Sequence, residues 1–227
     1  MPTNSPEPIS IALDDAARVS GLLRAPRGAK ACYVLAHGAG AGMTHPFMAA
    51  AADGLAERGI ATLRYQFLYM ERGSKRPDPP KLAHAAVRAA VAEAAQRLPK
   101  LPLIAGGKSF GGRMTSQAQA AAPLPGVHGL AFLGFPLHPA KQPSRERGKH
   151  LLDVRIPMLF LQGTRDALAM PDQIEPMCAA LGARALLRLF ADADHSFHVP
   201  VRSGRTDAQV MNDVLDAFGT WADGLIT

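Results

Sequence analysis

The sequence predicts an α/β protein built on one doubly wound, mostly parallel sheet of eight strands. Three observations carry that prediction. Short apolar runs alternate with stretches of helical periodicity, the order that a parallel sheet with crossover helices produces. The run at residues 31–36 is apolar without alternation, as a central strand covered on both faces must be. The chain's 227 residues, 48% of them hydrophobic, suffice for one large core, so a single domain over 1–227 is expected.

The elements follow in order. Residues 9–13 and 19–23 are apolar-rich and separated by Asp14-Asp15-Ala16-Ala17-Arg18, which reads as a hairpin at the sheet edge. Residues 31–36 form the first central strand, and the alanine-rich stretch 46–58 a helix. A strand at 60–65 precedes a long helix at 82–98, bounded by Pro79-Pro80. Residues 103–105 form a strand that stops at Gly106-Gly107, and a helix follows over 110–121. Strands at 127–133, 158–162 and 185–190 are interleaved with a helix near 173–181, and a helix at 206–222 closes the chain. Two connections, 66–81 and 135–155, exceed the usual few residues. Both leave the carboxyl ends of strands, where open α/β sheets hold their ligands, and neither is long enough for a cap domain. A shallow, open site is expected.

Composition narrows the class. The formal charge is +6, yet the densest basic stretch, residues 141–149, also holds Glu146 and has no interleaved aromatics. A nucleic-acid partner is therefore not expected. Cys32 sits in the central strand and Cys178 in a helix, so no structural disulfide is expected. The N-terminus Met1-Pro-Thr-Asn-Ser-Pro-Glu-Pro lacks the charged and apolar regions of a leader, and no apolar run spans a bilayer. A cytoplasmic protein with no membrane partner is the expectation; oligomeric state is not legible.

Chemistry concentrates at Gly107-Lys108-Ser109-Phe110-Gly111, a G-x-S-x-G pattern where an apolar strand gives way to a helix. Such an elbow holds a serine hydroxyl above the sheet on strained backbone, and its glycines leave room for the strand and helix that meet there. A serine nucleophile needs a base, and the base an acid that holds its tautomer. In this topology they follow in the order Ser, Asp, His. Gly163-Thr164-Arg165-Asp166 comes after the strand at 158–162, and Asp192-Ala193-Asp194-His195 after the strand at 185–190. Ser109, Asp166 and His195 are thus the expected catalytic residues. His198 is the competing base, Asp194 reads as a loop cap, and Asp172 and Glu175 as helix-start carboxylates.

An oxyanion needs two preorganised N–H donors. Phe110 supplies one at a helix start. The glycine-rich His37-Gly38-Ala39-Gly40-Ala41-Gly42 supplies the other from Ala39, with Gly40 next, and His37 reads as structural. Candidate substrate-binding residues are Tyr65, Gln66, Tyr69, Phe135 and His138, all at or near the two long connections. Lys108 reads as a surface charge in preference to a contact for an anionic substrate, and Arg113 as an anchor of the elbow. Gly107-Lys108-Ser109 is no phosphate loop, because Pro102 replaces the required glycine and the intervening residues are strand. Met43 breaks the dinucleotide glycine pattern, and His195 and His198 lack a zinc motif's spacing and glutamate. No cofactor and no metal are expected.

Four motifs, His37-Gly-Ala-Gly, Gly106-Gly-Lys-Ser-Phe-Gly-Gly-Arg, Gly163-Thr-Arg-Asp and Asp194-His-Ser-Phe, resemble the α/β-hydrolase superfamily in its dienelactone-hydrolase-like region. With Arg64-Tyr-Gln-Phe-Leu-Tyr-Met-Glu and Phe135-Pro-Leu-His-Pro they are similar to a small bacterial group. That group's eukaryotic relatives include a testis-expressed protein and a subunit of a histone-acetyltransferase complex. The resemblance implies an α/β-hydrolase fold and the triad Ser109, Asp166 and His195. Taken with the site residues, the expectation is a serine hydrolase acting on a small ester or thioester, in an α/β-hydrolase fold without a cap domain. The alternative is a catalytically silent, hydrolase-like interaction module. Dienelactone hydrolases proper carry cysteine where this chain has Ser109.

Overall fold

The computed structural model describes residues 5–14 and 17–226. Its centre is a single eight-stranded sheet. The strands are β1 (Glu7–Ala12), β2 (Arg18–Arg24), β3 (Ala31–Ala36), β4 (Ile60–Tyr65), β5 (Leu103–Lys108), β6 (Val127–Leu133), β7 (Met158–Gly163) and β8 (Ala185–Phe190). Their spatial order is β1-β2-β4-β3-β5-β6-β7-β8. β1 pairs antiparallel with β2 and β2 antiparallel with β4, whereas every later pair is parallel. The expected hairpin at the start is therefore present at one edge; Asp15 and Ala16 in its turn lie outside the described residues. From β3 the chain crosses to β4 on one side and then to β5 on the other, so the winding direction reverses between β3 and β5. Such a reversal opens a crevice at the carboxyl ends of the two strands.

Among the described residues six helices accompany the sheet: α1 (Pro46–Glu57), α2 (Leu68–Glu71), α3 (Pro80–Arg97), α4 (Phe110–Ala121), α5 (Pro171–Leu181) and α6 (Asp207–Ile226). Alternate strand residues face opposite layers. Cys32, Val34 and Ala36 of β3 pack with α3, α4 and α5, while Ala31, Tyr33 and Leu35 pack with α1 and α6. Both faces of β3, β4 and β7 are buried throughout, whereas β8 at the edge alternates and leaves Leu186 and Leu189 partly exposed. Among the described residues no helix is long and apolar enough to cross a membrane.

Several boundaries differ from expectation for identifiable reasons. α3 begins at Pro80, ahead of the expected 82, and α5 at Pro171, ahead of 173. Proline suits the first helical turn, whose N–H has no intrahelical partner to lose. α6 extends to Ile226, past the expected 222. β5 does not stop at its glycines but runs on through Gly106, Gly107 and Lys108, in register with Leu35 and Ala36 on one side and Ala131 to Leu133 on the other. The long connections are partly ordered: one contains α2, the other a 3-10 segment at Glu146–Asp153 packed on α4. Neither forms a cap domain among the described residues.

Two predictions concern this framework. A Cβ on Gly106 would lie 1.8 Å from the carbonyl oxygen of Ala131, and no flexible side chain can yield there. Gly106→Ala should therefore lower unfolding free energy by at least about 3 kcal/mol in urea titration. Gly224→Ala, on α6 with open space around it, should raise it by about 0.5–1 kcal/mol. The second concerns His150, whose Nε2 pairs with Ser116 Oγ at 2.8 Å beneath the 3-10 segment. Burial, with Arg113 nearby, pushes its imidazole down from 6.5 to about 4. Between those values the unfolded chain binds the proton and the folded chain does not, so this group costs stability as pH falls from 6.5 towards 4. The urea midpoint of His150→Gln should fall less over that window than that of the parent.

Candidate active site

Ser109 occupies the single residue between β5 and α4, with φ 50° and ψ −113°. Non-glycine residues avoid such backbone unless their surroundings enforce it. Here the enforcement is steric. A Cβ on Gly107 would stand 2.3 Å from the Ala36 carbonyl oxygen, and one on Gly111 would stand 2.6 Å from the carbonyl oxygens of both Ala36 and His37. Strand and helix thus press backbone to backbone against the end of β3, and the turn between them has only one way to go. The Thr115 hydroxyl fastens the arrangement by donating to the carbonyls of Gly111 at 2.9 Å and Gly106 at 3.2 Å.

Two more loops converge on the serine. His195 Nε2 lies 2.8 Å from Ser109 Oγ, and His195 Nδ1 lies 2.6 Å from Asp166 Oδ2. Ser109, His195 and Asp166, distant in sequence, are therefore joined in one chain of hydrogen bonds. Asp166 is fully buried. Its Oδ2 also accepts from Gln162 Nε2 at 2.5 Å, and its Oδ1 from the Leu168 N–H at 2.8 Å. Both oxygens of this buried carboxyl are thus engaged by donors. Gln162 is a residue that sequence reading passes over. Near the end of β7, it accepts from the Phe135 N–H at 2.8 Å with Oε1 and so aims its amide nitrogen at Asp166.

The loop that carries His195 is tightly determined. Asp192 and Phe197 both have positive φ, and the Asp194 carboxylate accepts from the N–H groups of Ser196 at 2.7 Å and His198 at 3.0 Å. Asp194 is thus a loop cap. His198 pairs with Asp207 at 2.8 Å on the exposed surface and has no part in the serine's contacts. Gly163 lets the loop close in, for a Cβ there would meet the Ala193 carbonyl oxygen at 2.2 Å.

Lys108, expected as a surface charge, is turned inward instead. Its ammonium donates to the His195 carbonyl and lies 5.5 Å from the ring centre of Phe47 and 5.6 Å from that of Phe197. Desolvation pushes it down to about 8, against the pull of Asp166 and Asp194. Lys108 is therefore a strut between the elbow and the histidine loop. The reason is the strand's alternation: Lys108 shares its face of β5 with Ile104, and that face packs with Phe47 and Phe197.

A cleft of about 420 Å³ opens over Ser109, lined also by Ala39, Pro77, Asp78, Pro80, Phe110, Arg113, Met114, Pro136, Arg147 and Leu168. Ala39 and Phe110 stand on its walls beside the serine, and a Cβ on Gly38 would come within 3.9 Å of Ser109 Cβ. The Gly40 N–H is already donated to the Tyr69 hydroxyl at 3.0 Å, whereas Ala39 of the same loop lines the cleft. His37 is structural: buried, with Nδ1 against the Gly38 carbonyl at 2.7 Å and Nε2 accepting from the Phe67 N–H at 3.1 Å.

The five expected substrate-binding residues are not on this wall. Tyr65 is fully buried against Phe67, and Phe135 is fully buried between Phe132 and Phe160. His138 is buried with Nδ1 at 2.8 Å from the Pro139 carbonyl. Gln66 serves the glycine-rich loop, accepting from the Met43 N–H at 2.8 Å, and Tyr69 lines an adjoining hollow with Arg72, Arg76 and Asp78. Their bulk and polarity suggest a pocket in sequence, but those same properties let them brace the loops from beneath. Arg113, expected as an anchor, instead lines the cleft, together with Arg147 from the second long connection.

The whole architecture is similar to that of known structures. A dienelactone hydrolase from Anabaena variabilis superposes with a TM-score of 0.78 at 21% identity, covering 98% of this chain and 100% of the other. An α/β serine hydrolase without lid from Xanthomonas campestris gives 0.74 at 19%, covering 97% and 96%. The esterase domain of a Rhodothermus marinus protein gives 0.74 at 14%, covering 98% and 99%. At these identities the likeness establishes a shared α/β-hydrolase fold. The family model of the alpha/beta hydrolase domain matches residues 29–223, and the chain belongs to that family.

Proposed function

We propose that this protein is a serine hydrolase that cleaves a small ester or thioester through an acyl-enzyme. The observation that carries the reading is the unbroken line Ser109 Oγ, His195 Nε2, His195 Nδ1, Asp166 Oδ2, with contacts of 2.8 and 2.6 Å. In this reading His195 takes the hydroxyl proton as Ser109 attacks the carbonyl carbon. The developing oxyanion is met by the N–H groups of Phe110 and Ala39. His195 then gives the proton to the departing oxygen or sulfur as its bond to the acyl carbon breaks. A water, deprotonated by the same imidazole, attacks the acyl-enzyme and releases the acid with Ser109 restored. Asp166 remains ionised and keeps Nδ1 protonated, which leaves Nε2 free to accept.

The site's openness favours reactive bonds over amides, because a shallow cleft offers little remote binding energy to distort an unreactive one. Part of the same reading is membership of the small bacterial group with testis-expressed and histone-acetyltransferase-complex relatives, supported by the motifs around Lys108 and Arg64.

Ser109→Ala should lower kcat on short p-nitrophenyl esters by at least about 10³-fold. Its melting temperature should stay within about 2 °C of the parent. Retained turnover would overturn the assignment. A fluorophosphonate probe should label Ser109 in the parent; an unlabelled, folded parent would instead support a silent binding scaffold. Gln162→Met should lower unfolding free energy by about 1–3 kcal/mol in urea titration, because the Phe135 N–H and one Asp166 oxygen lose their partner in a buried site.

A further inference from the structure

Among the described residues lining the Ser109 cleft, Arg113 and Arg147 are the two cations and Asp78 the one carboxylate. Neither arginine forms an ion pair among the described residues. The nearby acids are engaged elsewhere: Asp78 Oδ2 accepts from the Tyr69 N–H at 3.0 Å, and Glu146, next to Arg147, pairs with Lys149 at 2.7 Å. Arg113 is held by packing, with its guanidinium 5.8 Å from the Phe110 ring centre and its Nε buried without a hydrogen-bond partner. Burial and the charge of Arg147 both oppose the Arg113 cation, so the two guanidiniums are close enough to repel. The adjoining hollow, which shares Pro77 and Asp78 with the cleft, adds Arg72 and Arg76 to the same mouth. Elsewhere among the described residues, Arg24 pairs with Asp53, Arg58 with Asp216 and Arg205 with Asp213.

Two unpaired guanidiniums, half-desolvated beside a nucleophile, match the geometry and charge of an anionic oxygen group. We propose that Arg113 and Arg147 form an anion subsite, so that the substrate carries a carboxylate or phosphate group within reach of the scissile carbonyl. This rests on the serine-hydrolase reading and names its substrate class. Arg113 comes from α4 and Arg147 from the 3-10 segment, so the subsite spans the helix that follows Ser109 and the connection packed on it.

The test uses matched ester pairs that differ only in charge. The mono-4-nitrophenyl ester of adipic acid against 4-nitrophenyl hexanoate places the charge on the acyl arm. 4-Acetoxybenzoate against its methyl ester places it on the leaving group. In at least one pair the parent should favour the anionic member by about tenfold in kcat/KM, and Arg147→Gln and Arg113→Gln should each bring that ratio towards one. Lys149→Gln, the same charge change at an exposed site on the same segment, should keep the ratio. A parent with no anionic preference in either pair, or a preference that survives both arginine substitutions, overturns the proposal. Binding without turnover separates the two readings. Ser109→Ala should be thermally stabilised by adipate or by inorganic phosphate, and Ser109→Ala/Arg147→Gln should not. If no ester is hydrolysed but this stabilisation is seen, the hydrolase reading fails and the anion subsite stands; if esters are hydrolysed and neither anion stabilises, the reverse holds.

Discussion

The close approach of three backbones at the middle of the sheet governs this molecule. At the ends of β3 and β5 and the start of α4, carbonyl oxygens of Ala36, His37 and Ala131 occupy the places where side chains of Gly106, Gly107 and Gly111 would stand. Any larger residue would push the layers apart. Because they cannot separate, the residue between strand and helix is held at φ 50°, and its side chain is lifted clear of the sheet. The strain is small beside the core that imposes it, with both faces of the central strands sealed by helices. A serine there is presented to the cleft by packing rather than by its own preferences.

Electrostatics then orders what converges on that serine. Asp166 is sealed from water yet meets the His195 ring, the Gln162 amide and the Leu168 N–H. A buried charge survives only when its lone pairs are used. Lys108 also holds the same histidine, donating to its main-chain carbonyl while its ammonium lies 5.5 and 5.6 Å from the ring centres of Phe47 and Phe197. The imidazole is thus located twice, through its ring and through its backbone. That redundancy suits a loop whose own backbone is unusual at Asp192 and Phe197.

The cleft has a polarity that the triad alone does not explain. On the reading proposed above, a neutral ester would need no more than the serine, the imidazole and two N–H groups, and cations left unpaired beside them would be a standing cost. There Arg113 and Arg147, from two separate elements, stand without an ion pair among the described residues.

Much was legible from sequence, and for a physical reason: patterns that depend on a local period or a local steric need survive without coordinates. The eight apolar runs, the glycines around Ser109, and the Ser, Asp, His order are of that kind. Strand ends were less so, since Gly106 and Gly107 look like a stop until the neighbouring strands show that they are a passage. The direction of a side chain was least legible. Tyr65 and Phe135 sit at the right ends of the right strands yet face the core, Lys108 folds under the histidine loop, and Arg113 and Arg147 meet although they lie 34 positions apart. The sequence by itself determined the sheet, the elbow and which residue types could react. Only the tertiary structure decided which side chains share the cleft, because that depends on how helices and loops from separate parts of the chain pack against one another, and no local pattern encodes it.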